Sequence, residues 1–165
     1  MKTEILNALR ISFEELTQLL DGLDQQQLNN TPFEGSWTAA QLGDHLFQSY
    51  EVVDALNGNV KTTNRPIDHK AEDLEDLFLN FDIKMESPDF ILPFDGILDK
   101  KELMHGLNCR TKAILASAEK NDLSPTCMDF EFPGFGKLTR FEMLTFVLVH
   151  TKRHVHQLRN ICSNL

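Results

Sequence analysis

Apolar residues in this chain return at steps of three and four and hardly ever alternate, a periodicity that restricts it to helices. Ile5, Leu9, Phe13, Leu16, Leu20 and Leu23 trace one face of a first helix that stops near Gly22. The polar run Asp24–Asn30 leaves room for one short turn, and Pro32, Gly35 and Ser36 mark a loop. A second helix opens on Thr38-Ala39-Ala40-Gln41. Thr38 as N-cap and Gln41 three residues later form a capping box, with Trp37 and Leu42 placed as a hydrophobic staple. This helix is expected to run through Ala55 and end at Asn57-Gly58-Asn59, with His45 about two turns inside. A short helix is predicted over Glu72–Phe81, with Leu74, Leu77, Phe78 and Phe81 on one face. Prolines bracket the apolar segment Ser87–Pro93, which therefore reads as an extended strap over the helices rather than a sheet strand. Asp99-Lys100-Lys101-Glu102 opens another helix, carried to about Lys120 by Leu103, Leu107, Ile114, Leu115 and Ala118. Thr139-Arg140-Phe141-Glu142 opens the last helix, which runs to about Cys162.

Four substantial helices, a short extra helix and long connections predict an all-α protein built as a four-helix bundle. A length of 165 residues suits one domain over 1–165, long enough to bury a core without covalent staples. The net charge of −9 argues against a nucleic-acid partner, since phosphate binding needs a basic face. The same acidity disfavours docking on an anionic membrane. The three cysteines, Cys109, Cys127 and Cys162, contain no C-x-x-C pair, which excludes a thiolate zinc ribbon, and they read as reduced and mostly buried. The sequence shows neither a signal-peptide run nor a stretch of membrane-spanning length, so a cytoplasmic location is the expectation.

The last helix carries His150 and His154, four residues apart and so one turn apart on the same face. Two imidazoles so spaced can share a divalent ion. The run Phe146-Val147-Leu148-Val149 buries the helix where His150 begins, and a buried imidazole needs partners. His156 points elsewhere, whereas Gln157 returns to the histidine face and is placed to hold a water or a substrate group. His45, on an amphipathic helix beside Gln41 and Gln48, is the best third ligand. His69 lies in a polar loop, and His105 sits near the start of its helix with no face assigned. The spacing H-x-x-x-H does not by itself separate a metal pair from a surface or core pair. Thr151 stands where a zinc protease needs its glutamate, so that mechanism is unsupported.

Two segments together resemble a known family. They are Ser36-Trp37-Thr38-Ala39-Ala40-Gln41-Leu42-Gly43-Asp44-His45-Leu46 and His150-Thr151-Lys152-Arg153-His154-Val155-His156-Gln157-Leu158. A Trp-Ser/Thr helix start with a histidine eight residues later, and a closing H-x-x-x-H-x-x-Q, are similar to the DinB/YfiT-like metalloenzymes. The resemblance implies a bundle with a three-histidine site for nickel or zinc, whose ligands here are His45, His150 and His154. It also implies a homodimer and a small-molecule substrate. The activities it suggests are transfer or isomerisation dependent on a low-molecular-weight thiol, or hydrolysis, and nothing in the residues selects among them.

Three neutral imidazoles leave an ion its full charge and an open position, the catalytic rather than the structural pattern. Each ligand should pass its second N–H to an acceptor, for which Gln41, Gln48 and a backbone carbonyl are candidates. Asp44 and Glu51 share the helix of His45 but read as solvated carboxylates rather than a general base. Such a site should lose metal below about pH 6, as the imidazoles protonate. Two functions stand: a metal-dependent enzyme, transferase or hydrolase, and a non-catalytic metal- or ligand-binding bundle with its fourth position closed by His105 or a carboxylate. A metal-free bundle with hydrogen-bonded core histidines is the blandest alternative.

Overall fold

The computed structural model describes residues 1–165. Helix α1 (Lys2–Asp21) buries Leu9, Phe13, Leu16 and Leu20 on the face its periodicity marks, and Gly22 closes it. The polar run that follows is a true helix, α2 (Gln25–Asn29), started by a capping box between Asp24 and Gln27. α3 (Ala39–Ser49) begins on the expected box. Gln41 N–H donates to Thr38 Oγ1 at 3.1 Å, and Thr38 N–H donates to Gln41 Oε1 at 3.0 Å.

The second helix does not run unbroken to Ala55. It stops at Ser49 and resumes as α4 (Val52–Asn57). Glu51, Val53 and Asp54 N–H groups donate to the third carbonyl back, so the chain tightens there into a 3₁₀-type turn. At the break the Tyr50 ring turns fully inward, its hydroxyl 2.7 Å from Thr151 Oγ1 of the last helix.

Two short strands follow the helix ends, β1 (Val60–Lys61) and β2 (Thr126–Cys127), paired antiparallel with Val60 opposite Cys127. At two residues each they leave no alternation to read in the sequence. α5 (Ala71–Phe78) buries Leu74 and Phe78. Phe81 lies beyond its end rather than on its face and is half-exposed. A single 3₁₀ turn (Asp89–Ile91) then leads to α6 (Lys100–Lys120), where Asp99 Oδ1 accepts from Glu102 N–H at 3.0 Å.

α7 (Arg140–Cys162) is the axis of the molecule and packs on α1, α3 and α5. Its capping glutamate does more than cap. Glu142 is buried, accepts from Thr139 N–H and Lys70 N–H at 2.8 Å each, and pairs with both terminal nitrogens of Arg65. Burial alone would raise the pKa of this carboxyl, but the donors from Arg65, Thr139 and Lys70 outweigh it and hold the value below the ordinary one. The loop of residues 65–70 is thereby pinned to the start of α7.

α1, α3 with α4, α6 and α7 enclose one apolar cluster of 34 buried residues, the all-α bundle that the periodicity predicts. α3 and α6 cross closely because Gly43 lies against Leu103 and Gly106 against Phe47. A Cβ at either glycine would meet a side-chain carbon at 3.0 Å. No helix is long and apolar enough to cross a membrane.

Candidate metal centre

The expected histidines meet. α3 carries His45, α7 carries His150 and His154, and all three rings are buried, with exposures of 3%, 5% and 7%. Their Nε2 atoms face one another: His150 Nε2 lies 3.2 Å from that of His45 and 3.0 Å from that of His154. One atom from each ring falls within 4.8 Å of the others, so the trio could hold a metal ion. Nitrogens each about 2.0–2.1 Å from a tetrahedral ion would stand about 3.3 Å apart. The observed spacings are close to that.

The outward nitrogens decide what points inward. His45 Nδ1 is 2.9 Å from the Ile91 carbonyl oxygen and His154 Nδ1 is 3.0 Å from Gln157 Oε1. A carbonyl can only accept, so His45 carries its proton on Nδ1 and turns a bare Nε2 lone pair to the centre. The Gln157 oxygen imposes the same tautomer on His154. His150 can place at most one proton between those two lone pairs, and a cation would satisfy all three nitrogens. The donor set therefore fits a divalent ion.

His150 differs from its neighbours. Its Nδ1 is buried with no partner. Its ring stacks on Phe146 at 5.1 Å between centroids and meets the edge of Phe78 at 5.7 Å. Burial lowers the basicity of all three rings: His45 falls below the ordinary value, His154 is pushed down to about 3, and His150 is well below it, lowered further by His154 and His45. Proton competition for the site thus begins at lower pH than the value near 6 that the sequence suggests for these ligands, because their burial disfavours the charged ring.

The strap over the histidines is real, and its role is inverted from that of a core element. Its backbone faces the site, through the Ile91 carbonyl and with Ser87 Oγ 3.3 Å from His45 Nδ1, while the side chains of Phe90, Leu92 and Phe94 are exposed. Asp44 fixes it in place, its Oδ2 accepting from Phe94 N–H and from Gln48 Nε2 at 2.8 Å each. Gln48 Nε2 also donates to the Leu92 carbonyl at 3.1 Å. The backbone carbonyl is thus the acceptor His45 needed, Gln41 being spent on its cap and Gln48 on the strap. Gln157 orients His154 through its Oε1 while also lining the cavity.

The remaining candidates lie apart. His69 and His105 are exposed, and His105 sits 3.7 Å from Cys109 Sγ on α6, far from any closing position. Cys109 is itself exposed, so of the three cysteines only Cys127 is buried. Glu51 faces Arg110 at 3.4 Å. His156 stays outside the trio, stacked on Phe81 at 4.1 Å. Trp37, read in the sequence as a staple, proves to be a wall of the site, 5.1 Å from the His45 ring and stacked 6.5 Å from that of His154.

The trio lies in the wall of a cavity of about 1340 Å³ framed by α3, α5, α7 and the strap. The family model for the DinB superfamily matches residues 8–158, and with them both helices that carry the histidines. The chain belongs to the DinB superfamily. No curated protein and no solved structure matches it. For a DinB-superfamily chain the arrangement is an all-α bundle with three histidines converging at the side of one large cavity.

Proposed function

We propose that this protein is a metal-dependent enzyme acting on a small molecule, with His45, His150 and His154 as ligands to one nickel or zinc ion. The observation that carries the reading is the convergence of three buried Nε2 atoms on a cavity, two of them held in the metal-binding tautomer from behind. The cluster contains no carboxylate and no fourth histidine, which favours an open position and a catalytic site over a closed structural one. His45, His150 and His154 would hold such an ion as neutral imidazoles, and its charge would supply the acidification of a bound thiol or water that a small-thiol-dependent transferase or a hydrolase needs.

The chain's own groups supply the frame. Ile91 and Gln157 orient two ligands, while Trp37 and Phe146 cover the rings and keep water from their faces. The small thiol and a homodimeric state enter this proposal from the family resemblance.

Elemental analysis of tag-free protein tests the reading. About one nickel or zinc per chain is expected. It should be lost in His45→Ala and His154→Ala and retained in His156→Ala, with circular dichroism confirming that each variant stays helical. No stoichiometric metal, even after addition of zinc and nickel, would leave a scaffold with polar core histidines and end the enzyme reading.

A further inference from the structure

The cavity says more about its occupant than the histidines do. Its volume, about 1340 Å³, exceeds the range of about 300–1,000 Å³ usual for small-molecule sites. Its deep wall is aromatic: Phe132 lies 4.4 Å from Phe146, Phe78 lies 5.4 Å from Phe146, and Phe146 backs His150, with Trp37 on the opposite side of the trio. Its mouth is apolar too. Phe33, Phe81, Ile83, Met85, Phe90 and Leu92 all line it, and they are half of the large apolar side chains the molecule leaves exposed. Apolar surface gathered in this way marks a binding groove.

Acidic groups outnumber basic ones around it. Five carboxylates line the cavity, those of Glu51, Asp54, Asp82, Glu86 and Asp129, against two cations, Lys84 and Arg153. Arg153 is not free to meet an anion, because its guanidinium already donates to the carbonyls of Phe78, Asn80 and Ile83. Asp54, Asp82 and Glu86 take part in no ion pair. Lys84 is the one cation left free there, so an anionic ligand would cross a predominantly acidic rim to reach an apolar interior.

We infer that the cavity takes a bulky, ring-containing apolar molecule that is neutral or cationic, and rejects anionic analogues of the same shape. The inference deepens the proposed function and rests on it only in setting the ligand's reacting end beside the histidines.

Two dyes with the same ring skeleton test it: N-phenyl-1-naphthylamine, which is neutral, and 1-anilinonaphthalene-8-sulfonate, which adds one sulfonate. Both are titrated into zinc-treated full-length protein whose metal content is measured on the same samples. The neutral dye should bind at least tenfold more tightly. Energy transfer from Trp37, the only tryptophan, supplies the binding signal, and Phe132→Lys, which puts a charge in the aromatic wall, should abolish neutral-dye binding if the dye sits in the cavity. The double variant Asp82→Lys/Glu86→Lys, changed only at exposed positions, should raise sulfonate-dye affinity and leave the neutral dye unchanged. Equal affinities for the two dyes, or no response of the sulfonate dye in the double variant, would overturn the charge selection. Stoichiometric metal without neutral-dye binding would overturn this inference and leave the metal reading intact. Dye binding without metal would do the reverse. A dimer that excludes the neutral dye and dissociates in Phe90→Ser would make the apolar mouth an interface between copies and overturn the inference.

Discussion

Ile91 gives the histidine site a carbonyl oxygen and nothing else, whereas Gln157 gives it a side chain, so a substitution can remove the second acceptor but not the first. Residues four apart on a helix share a face by geometry alone, so His150 and His154 could be paired from the sequence, and Gln157 falls on the same side. Its hydrogen bond to His154 is not announced by the spacing, since a side chain three residues on reaches back to the preceding turn as readily as outward. Ile91 leaves no such mark, because every residue owns a carbonyl. Trp37 is visible as a helix-start residue, but its packing against rings from two helices is a tertiary fact. The role of Gln157 is open to test. Gln157→Leu should leave the fold intact and weaken metal binding by about 10–100-fold, the usual loss for an orienting partner, read by competition with a chromophoric chelator. Gln157→Glu should bind at least as well as the parent, since a carboxylate accepts the same proton more strongly. Unchanged affinity in Gln157→Leu would show that packing alone orients His154.

At the scale of elements, helix starts were the most legible feature and connections the least. The boxes at Thr38 and Thr139 are local, four-residue devices, and both stand as read. The break at Tyr50 is not local. It accompanies a ring buried against α1, 5.5 Å from Phe13, and a hydroxyl bonded to α7. The clasp of Glu142 on Arg65 likewise joins residues 77 apart in the chain, which no capping pattern announces. The prolines set the strap apart from the helices, but its centre, Asp89–Ile91, is a 3₁₀ turn rather than extended chain, and its sidedness is hidden because no periodicity tells a backbone-inward segment from a side-chain-inward one. Asp44 controls that sidedness. Asp44→Ala removes the acceptor for Phe94 N–H and the partner of Gln48, and should free the segment of residues 82–97. Limited proteolysis should then cut there first, with helix content unchanged. Metal affinity should fall by about tenfold as His45 loses the Ile91 carbonyl. Cleavage no faster than in the parent would mean that the Gln48–Leu92 bond alone holds the strap.

For the whole molecule, the three histidines set how stability responds to acid. Burial keeps each ring neutral in the folded protein, while the unfolded chain protonates them near the ordinary value of 6.5. The unfolded state thus holds more protons as pH falls below 6.5. Stability contributed at neutral pH drains away from there down toward the folded-state value of about 3 for His154. The urea midpoint of metal-free protein should therefore fall between pH 7 and pH 5, above the range where the depressed Glu142 carboxyl, ordinarily near 4.5, begins to matter. A flat midpoint across that interval would show that water reaches the rings. The strap carries a different consequence, one of heredity rather than energy. Because it is fastened to α3 and His45 by main-chain atoms, the identities of Ile83, Met85, Phe90 and Leu92 are left out of the fastening. Those four positions can drift or be recombined as a cassette, changing which molecules are admitted while the histidines stay as they are. In a fold of this kind new specificities should arise first by substitution along the strap.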